Sequence, residues 1–266
     1  MTSKERISAA LRGQTVDRVP WCPFLAYVWE HYPQEIRDAG QYSFLKAALA
    51  DPLYRGSHTL FGDIMEDVEF SQEGNIITYK TKIGSIQGEY ARSDIGNTSF
   101  LIGHPVKTKE DLKVLTYMYQ NARCIPFYDG FIESSKAEED AYYMPMIGGQ
   151  GKTAFQRLIE HWMGTEATIY MLEDYPECVE EALEAMVHFS VETAKISAKC
   201  PGTEAHIFWE DTSTMNYSPA MFKKYAFPEI KQWADILHAE NKLLIHHRSE
   251  ERRVGKECRS RWSPHH

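Results

Sequence analysis

One stretch constrains the fold more than any other: residues 205–247, AHIFWEDTSTMNYSPAMFKKYAFPEIKQWADILHAENKLLIHH. Ala205 to Trp209 is a short apolar run that empties into Glu210 and Asp211. Ser218-Pro219 then reads as a helix start, with a hydroxyl N-cap and proline at the first helical position. Phe227-Pro228 interrupts that helix and opens a second. In it Ile230, Trp233, Ala234 and Leu237 recur at i, i+3, i+4 and i+7 as one buried stripe. Asn241 suits a left-handed C-cap, and Lys242 to Ile245 reads as a strand ending in His246-His247. A strand, a crossover helix and a second strand imply a parallel pair. Chemistry in parallel barrels gathers beyond the carboxyl ends of the strands, where Glu210, Asp211 and His246 would lie. Two adjacent carboxylates past a buried strand are costly unless something pairs with them. Two readings stand side by side: a functional site, or carboxylates that cap the following loop beside surface histidines.

The chain is long enough for one domain, or one and a part. It is 43% hydrophobic, enough to build a core, and its net charge of −9 gives no electrostatic case for nucleic acid or an anionic membrane. No apolar run approaches the ~20 residues of a membrane span, and no signal peptide precedes Thr2. The five cysteines, Cys22, Cys124, Cys178, Cys200 and Cys258, are scattered without a C-x-x-C pair. That pattern predicts reduced, buried thiols in a cytoplasmic protein.

Residues 248–266, RSEERRVGKECRSRWSPHH, break with everything before them. Six of the 29 Lys/Arg and three of the 38 Asp/Glu fall there, leaving the first 247 residues at −12. The string has no helical or strand periodicity, and it resembles read-through translation of a sequencing adapter. It is expected to be a non-native tail and is set apart from fold reasoning, with residues 1–247 as the native part.

Thr2-Ser3-Lys4-Glu5 is a capping box, followed by Ile7, Ala10 and Leu11 on one face and Gly13 as the stop. Asp17-Arg18-Val19-Pro20 leads into a short apolar strand at Trp21 to Phe24, and residues 51–63 are expected to hold the next helix. Asp67 to Phe70, Asn75 to Lys82 and Ser85 to Tyr90 alternate polar and apolar around two glycine turns, predicting an antiparallel meander. Lys107 to Asp111 opens another capped helix. Ala141 to Ile147 is an apolar strand that runs into Gly148-Gly149-Gln150-Gly151-Lys152-Thr153. A phosphate-binding loop would need glycine where Met146 stands. Gly148 and Gly149 are read instead as cofactor-binding positions that let a ligand approach bare backbone. Glu173-Asp174-Tyr175-Pro176 starts a long helix that stops at Cys200-Pro201-Gly202.

Several of these phrases, in this order, resemble the uroporphyrinogen decarboxylase superfamily. They are the N-terminal helix with LRGQTVDRVPW, the His104 to Leu112 run, Asp174-x-Pro176-Glu177, and Ser218-Pro219 with Phe222, Tyr225 and Pro228. The superfamily also contains cobamide-dependent methyltransferases that act on coenzyme M and related thiols. The resemblance covers essentially all of residues 1–247 and implies a (β/α)8 barrel. About five of its core strands can be placed, near Trp21, Asp67, Met144, Phe208 and Leu244, with the antiparallel meander as an excursion. The rest of the barrel is expected to be missing, with sheet edges left open.

The decarboxylase branch is expected to carry an arginine-rich M-R-Q-A-G-R phrase after its first strand. Residues 22–30 contain no arginine, and the next one downstream is Arg37. The resemblance therefore favours the methyltransferase branch, in which zinc held by a His-x-Cys pair and a later cysteine turns a thiol into a thiolate. Register from Asn241 carries the ligand histidine onto His246, whereas position 248 is Arg. Glu210 and Asp211 would be catalytic at the neighbouring strand end. The implied activity is methyl transfer between a methylated corrinoid, free or on a partner protein, and a small thiol. The alternatives are uroporphyrinogen decarboxylation in porphyrin biosynthesis, or a non-catalytic barrel that binds a corrinoid or small ligand.

Overall fold

The computed structural model describes residues 1–26, 28–56, 60–92, 99–147, 151–214 and 216–248, with Arg248 described by its backbone alone. In chain order the helices are α1 (Ser3–Leu11), α2 (Gln34–Ala39), α3 (Gln41–Ala47), α4 (Lys109–Gln120), α5 (Asp129–Ala137), α6 (Ala154–Arg157), α7 (Thr165–Asp174), α8 (Pro176–Lys199), α9 (Pro219–Met221) and α10 (Phe227–Ala239). Two π-helical turns, Leu158–Met163 and Phe222–Ala226, continue α6 and join α9 to α10. The strands are β1 (Leu53–Arg55), β2 (Phe61–Met65), β3 (Glu69–Glu73), β4 (Ile76–Thr81), β5 (Gly84–Arg92), β6 (Ser99–Gly103), β7 (Ala122–Pro126), β8 (Tyr142–Met144), β9 (Ala205–Glu210) and β10 (Leu243–Arg248).

The expected (β/α)8 barrel does not form. Among the described residues the strands fall into four small sheets, two parallel pairs (β1-β8 and β9-β10), one antiparallel pair (β2-β7) and the antiparallel meander β3-β4-β5-β6. A barrel needs a parallel neighbour on both sides of every strand, and β2 instead turns back on β7, from Phe61 opposite Pro126 to Met65 opposite Ala122. Two strand positions inferred from sequence fail for local reasons. Pro20 and Pro23 lack N–H donors, and residues 21–25 are irregular backbone. Asp67 is a turn residue at φ 60°. Residues 51–63, expected to be helical, instead contain β1 and the start of β2.

Other elements follow their sequence signals. Thr2 and Thr108 each cap a helix through a complete capping box, with Glu5 and Asp111 reaching back. Ser218 accepts the Met221 N–H at 3.2 Å to start α9. Asn241 is left-handed at φ 56°, which ends α10 and lets the chain enter β10. The β9–α10–β10 unit is a parallel pair in register from Ala205 opposite Leu243 to Glu210 opposite Arg248. A further parallel bridge joins Met146 to Ile207, so the chain after β8 lies beside β9.

Helix α8 organises the largest core. Val179, Ala182, Leu183, Met186 and Phe189 pack against Leu112, Leu115 and Met118 of α4 and against Phe155, Leu158 and Trp162. Phe208 meets Trp233 edge-on at 5.3 Å in a second core beneath α10. Near the N-terminus Asp51 is wholly buried and accepts hydrogen bonds from Arg6 Nη1 (2.5 Å), Arg18 Nη1 (2.6 Å) and the Trp21 N–H (2.9 Å). The Asp17-Arg18-Val19-Pro20 phrase thus ties α1 to the start of β1. The four described cysteines are free thiols, and no described helix is long and apolar enough to cross a membrane.

Candidate functional site

Strand β9 delivers Glu210 to a cavity of about 550 Å³ beyond the carboxyl ends of β9 and β10. Glu210 is 2% exposed. Its carboxylate accepts the Thr153 N–H (3.1 Å), the Thr153 hydroxyl (2.7 Å) and the Tyr217 hydroxyl (2.9 Å). Burial raises its pKa above the ordinary carboxylate range, and the three donors pull only partly against that. Asp211 has a different occupation. It accepts the Ser213 N–H at 2.9 Å and the Asn216 amide at 2.6 Å, closing the loop that follows β9. Of the two adjacent carboxylates, one anchors the far wall of the cavity and the other caps a turn, although both line the cavity.

The strand-end histidines are separated by the alternation of β10. His246 stacks on Phe208 at 4.0 Å and 28°, and it is not among the cavity-lining residues. His247 stands edge-on to Trp209 at 4.5 Å and does line the cavity. Burial, helped by the nearby Arg55 charge, lowers the His247 pKa, so its imidazole is neutral at pH 7. His104, on the opposite wall, is also held neutral by burial. Gly148 and Gly149 lie outside the described residues. Gly151, the next glycine of that run, is left-handed at φ +69°, and its carbonyl accepts the Trp209 N–H at 2.5 Å. A Cβ there would come within 3.2 Å of the Trp209 ring, so the close approach requires glycine.

Sequence reasoning did not single out the wall built by α6. Lys152 pairs with Glu160 at 2.7 Å across the first turns of the 154–163 helix, and Gln156 donates to Glu160 at 3.2 Å. The other end of that amide, Gln156 Oε1, is buried and has no hydrogen-bond partner among the described residues; the indole N–H of Trp209 is in the same condition. Both residues line the cavity. A buried acceptor and a buried donor left unmet each cost about 1–3 kcal/mol, and such groups are what a ligand satisfies. Beyond α6 the helix closes in a π turn, where the Gly164 N–H bonds to the Ile159 carbonyl at 2.8 Å, five residues back, and such turns occur frequently at functional sites.

Zinc, which the family resemblance implies, needs three or four converging donors. Among the described residues no three His, Cys, Asp or Glu side chains form such a group, and His246 is committed to a ring stack. The described residues therefore do not fit a zinc ion. Compared with known proteins, the chain matches no family model and no curated protein.

Proposed function

We propose that this cavity is the active site of an enzyme acting on a small polar molecule, and that the reaction is methyl transfer from a methylated corrinoid to a thiol. The observation that carries the reading is the pair of unmet groups, Gln156 Oε1 and Trp209 Nε1, on two residues that line one cavity at the carboxyl ends of two parallel strands. Ligands of open α/β sheets bind in such crevices, and 550 Å³ suits a small acceptor. The sequence phrases that resemble the uroporphyrinogen decarboxylase superfamily, with no arginine in residues 22–30, supply the reaction type.

The wall chemistry agrees with a neutral or zwitterionic thiol. Among the described residues Lys152 is the only Lys or Arg lining the cavity, and Glu160 already pairs with it. A substrate with many carboxylates, as in uroporphyrinogen decarboxylation, would meet Glu160 and Asp211 with little to balance it. In this reading a neutral imidazole, His247 or His104, takes the thiol proton. The sulfur then attacks the methyl carbon, and the methyl–cobalt bond breaks with its electron pair left on cobalt. Gln156 and Trp209 orient the acceptor.

The test is demethylation of methylcobalamin followed by absorbance, with a panel of small thiols. Thiol-dependent demethylation that falls at least tenfold in Gln156→Leu and Trp209→Phe supports the reading. Formation of coproporphyrinogen without demethylation would replace it with the decarboxylase, and thiol binding unaffected by either substitution would remove the cavity from the mechanism.

A further inference from the structure

The helix formed by α6 and its π turn has a cavity on each side. Gln156, Ile159 and Glu160 face the one just described, whereas Arg157, His161 and Trp162 line a second of about 340 Å³. Its walls are largely aromatic. Tyr79 and Trp162 pack at 5.4 Å, and Tyr119 meets Trp162 at 6.1 Å and Phe189 at 5.7 Å.

Arg157 is the anomaly in this wall. Its side chain lies in a residue only 4% exposed, with the guanidinium over the Tyr119 ring at 5.5 Å. Nε and Nη2 have no hydrogen-bond partner among the described residues, and no carboxylate there forms an ion pair with it. Glu229 is near enough to feel the charge, but its oxygens are taken by the Ser190 hydroxyl and the Ala154 N–H. His161 Nε2, in the same cavity, is also unmet among the described residues. Removing the partner of a buried charge costs about 3–5 kcal/mol, so a guanidinium kept in this state is a site for an anion. Arginine matches a carboxylate in planar, two-point fashion. Asp63, exposed at the rim, would repel a second negative group on the same molecule. The rings favour a flat apolar body.

The geometry points to a second ligand site in this protein, one that binds a small monocarboxylate with its carboxylate on Arg157 and its flat apolar body among Tyr79, Tyr119 and Trp162. The inference is independent of the methyl-transfer reading and of the first cavity.

Benzoate is the probe, titrated calorimetrically into the full chain, with benzamide and benzylamine as uncharged and cationic isosteres. Benzoate is expected to bind at least tenfold more tightly than benzamide, with benzylamine weaker still. Arg157→Met should abolish that preference, and Asp63→Asn should strengthen benzoate binding severalfold. Because Asp63 is exposed, that variant keeps the test decisive if Arg157→Met fails to fold. Benzoate that does not bind at millimolar concentration, that binds no better than benzamide, or whose affinity ignores Asp63→Asn would overturn the assignment.

Discussion

Glu210 and Glu229 cap consecutive residues of one helix: Glu210 accepts the Thr153 N–H at 3.1 Å and Glu229 accepts the Ala154 N–H at 2.7 Å. They arrive from different elements, β9 and α10, and both are buried. Their negative ends suit the positive end of the helix dipole. They also repel each other, and burial followed by that repulsion pushes the Glu229 pKa up to about 7 despite the Ser190 and Ala154 donors.

Stability should therefore fall as pH rises through this window. With its pKa raised in the folded state, Glu229 holds a proton between pH 4.5 and about 7 that the unfolded chain has released. The contribution is fully present below 4.5 and is lost on the way to 7, at a size on the order of 3 kcal/mol. Glu229→Gln is expected to flatten the urea midpoint across this range. An unchanged slope in the variant would mean that Glu229 titrates normally.

Asp51 predicts the opposite sign. Burial raises its pKa, but the Arg18, Trp21 and Arg6 hydrogen bonds outweigh that and hold it below the ordinary value. Its stabilisation is present above the unfolded carboxylate range and disappears as pH falls below it. Asp51→Ala leaves the buried Arg6 Nη1 and the Trp21 N–H unmet, while Arg6 keeps its two-point pair with Asp17 at 2.6 and 2.8 Å, and it should cost about 1–3 kcal/mol at pH 7. Chemical denaturation that registers no loss would show that Asp17 alone satisfies Arg6.

Gly164 sits where the π turn ends and α7 begins, at φ 80° and ψ 161°. An added Cβ would lie 3.1 Å from His104 Cε1, in a backbone region that side chains avoid. Gly164→Ala is expected to lose about 1–3 kcal/mol, and to lower Tm by several degrees in a scanning melt. Since His104 lines the first cavity, ligand affinity there should weaken as well.

Thr108→Ala should cost about 1 kcal/mol by removing one half of the α4 capping box, in which its hydroxyl accepts the Asp111 N–H at 3.1 Å. Asp111→Ala removes the reciprocal half, so the two losses should not add. A double-mutant cycle by urea denaturation checks the coupling.

Local signals in the sequence were legible and long-range pairing was not. The caps at Thr2, Thr108 and Ser218, the left-handed Asn241 and the β9–α10–β10 crossover all follow from residues within a few positions of one another. The barrel did not follow, because one crossover says nothing about where the other strands pair. Leu53-Tyr54-Arg55 is too short for any periodicity, and its partner Tyr142-Tyr143-Met144 lies about ninety residues away. Cys124 opposite Asp63 is equally invisible. At the site, Glu210 could be read from its place after an apolar run. Gln156 and Arg157 could not, since their importance lies in bonds they fail to make.

Residues 156 and 157 are neighbours in the chain, yet they belong to different cavities. A displacement of that one peptide registers on both sides of the helix at once. Where occupancy of one side moves it and so alters affinity on the other, thermodynamics makes the change the same factor in both directions. The helix is thus the natural place for the two ligands to exchange free energy, with no lid, hinge or second subunit required.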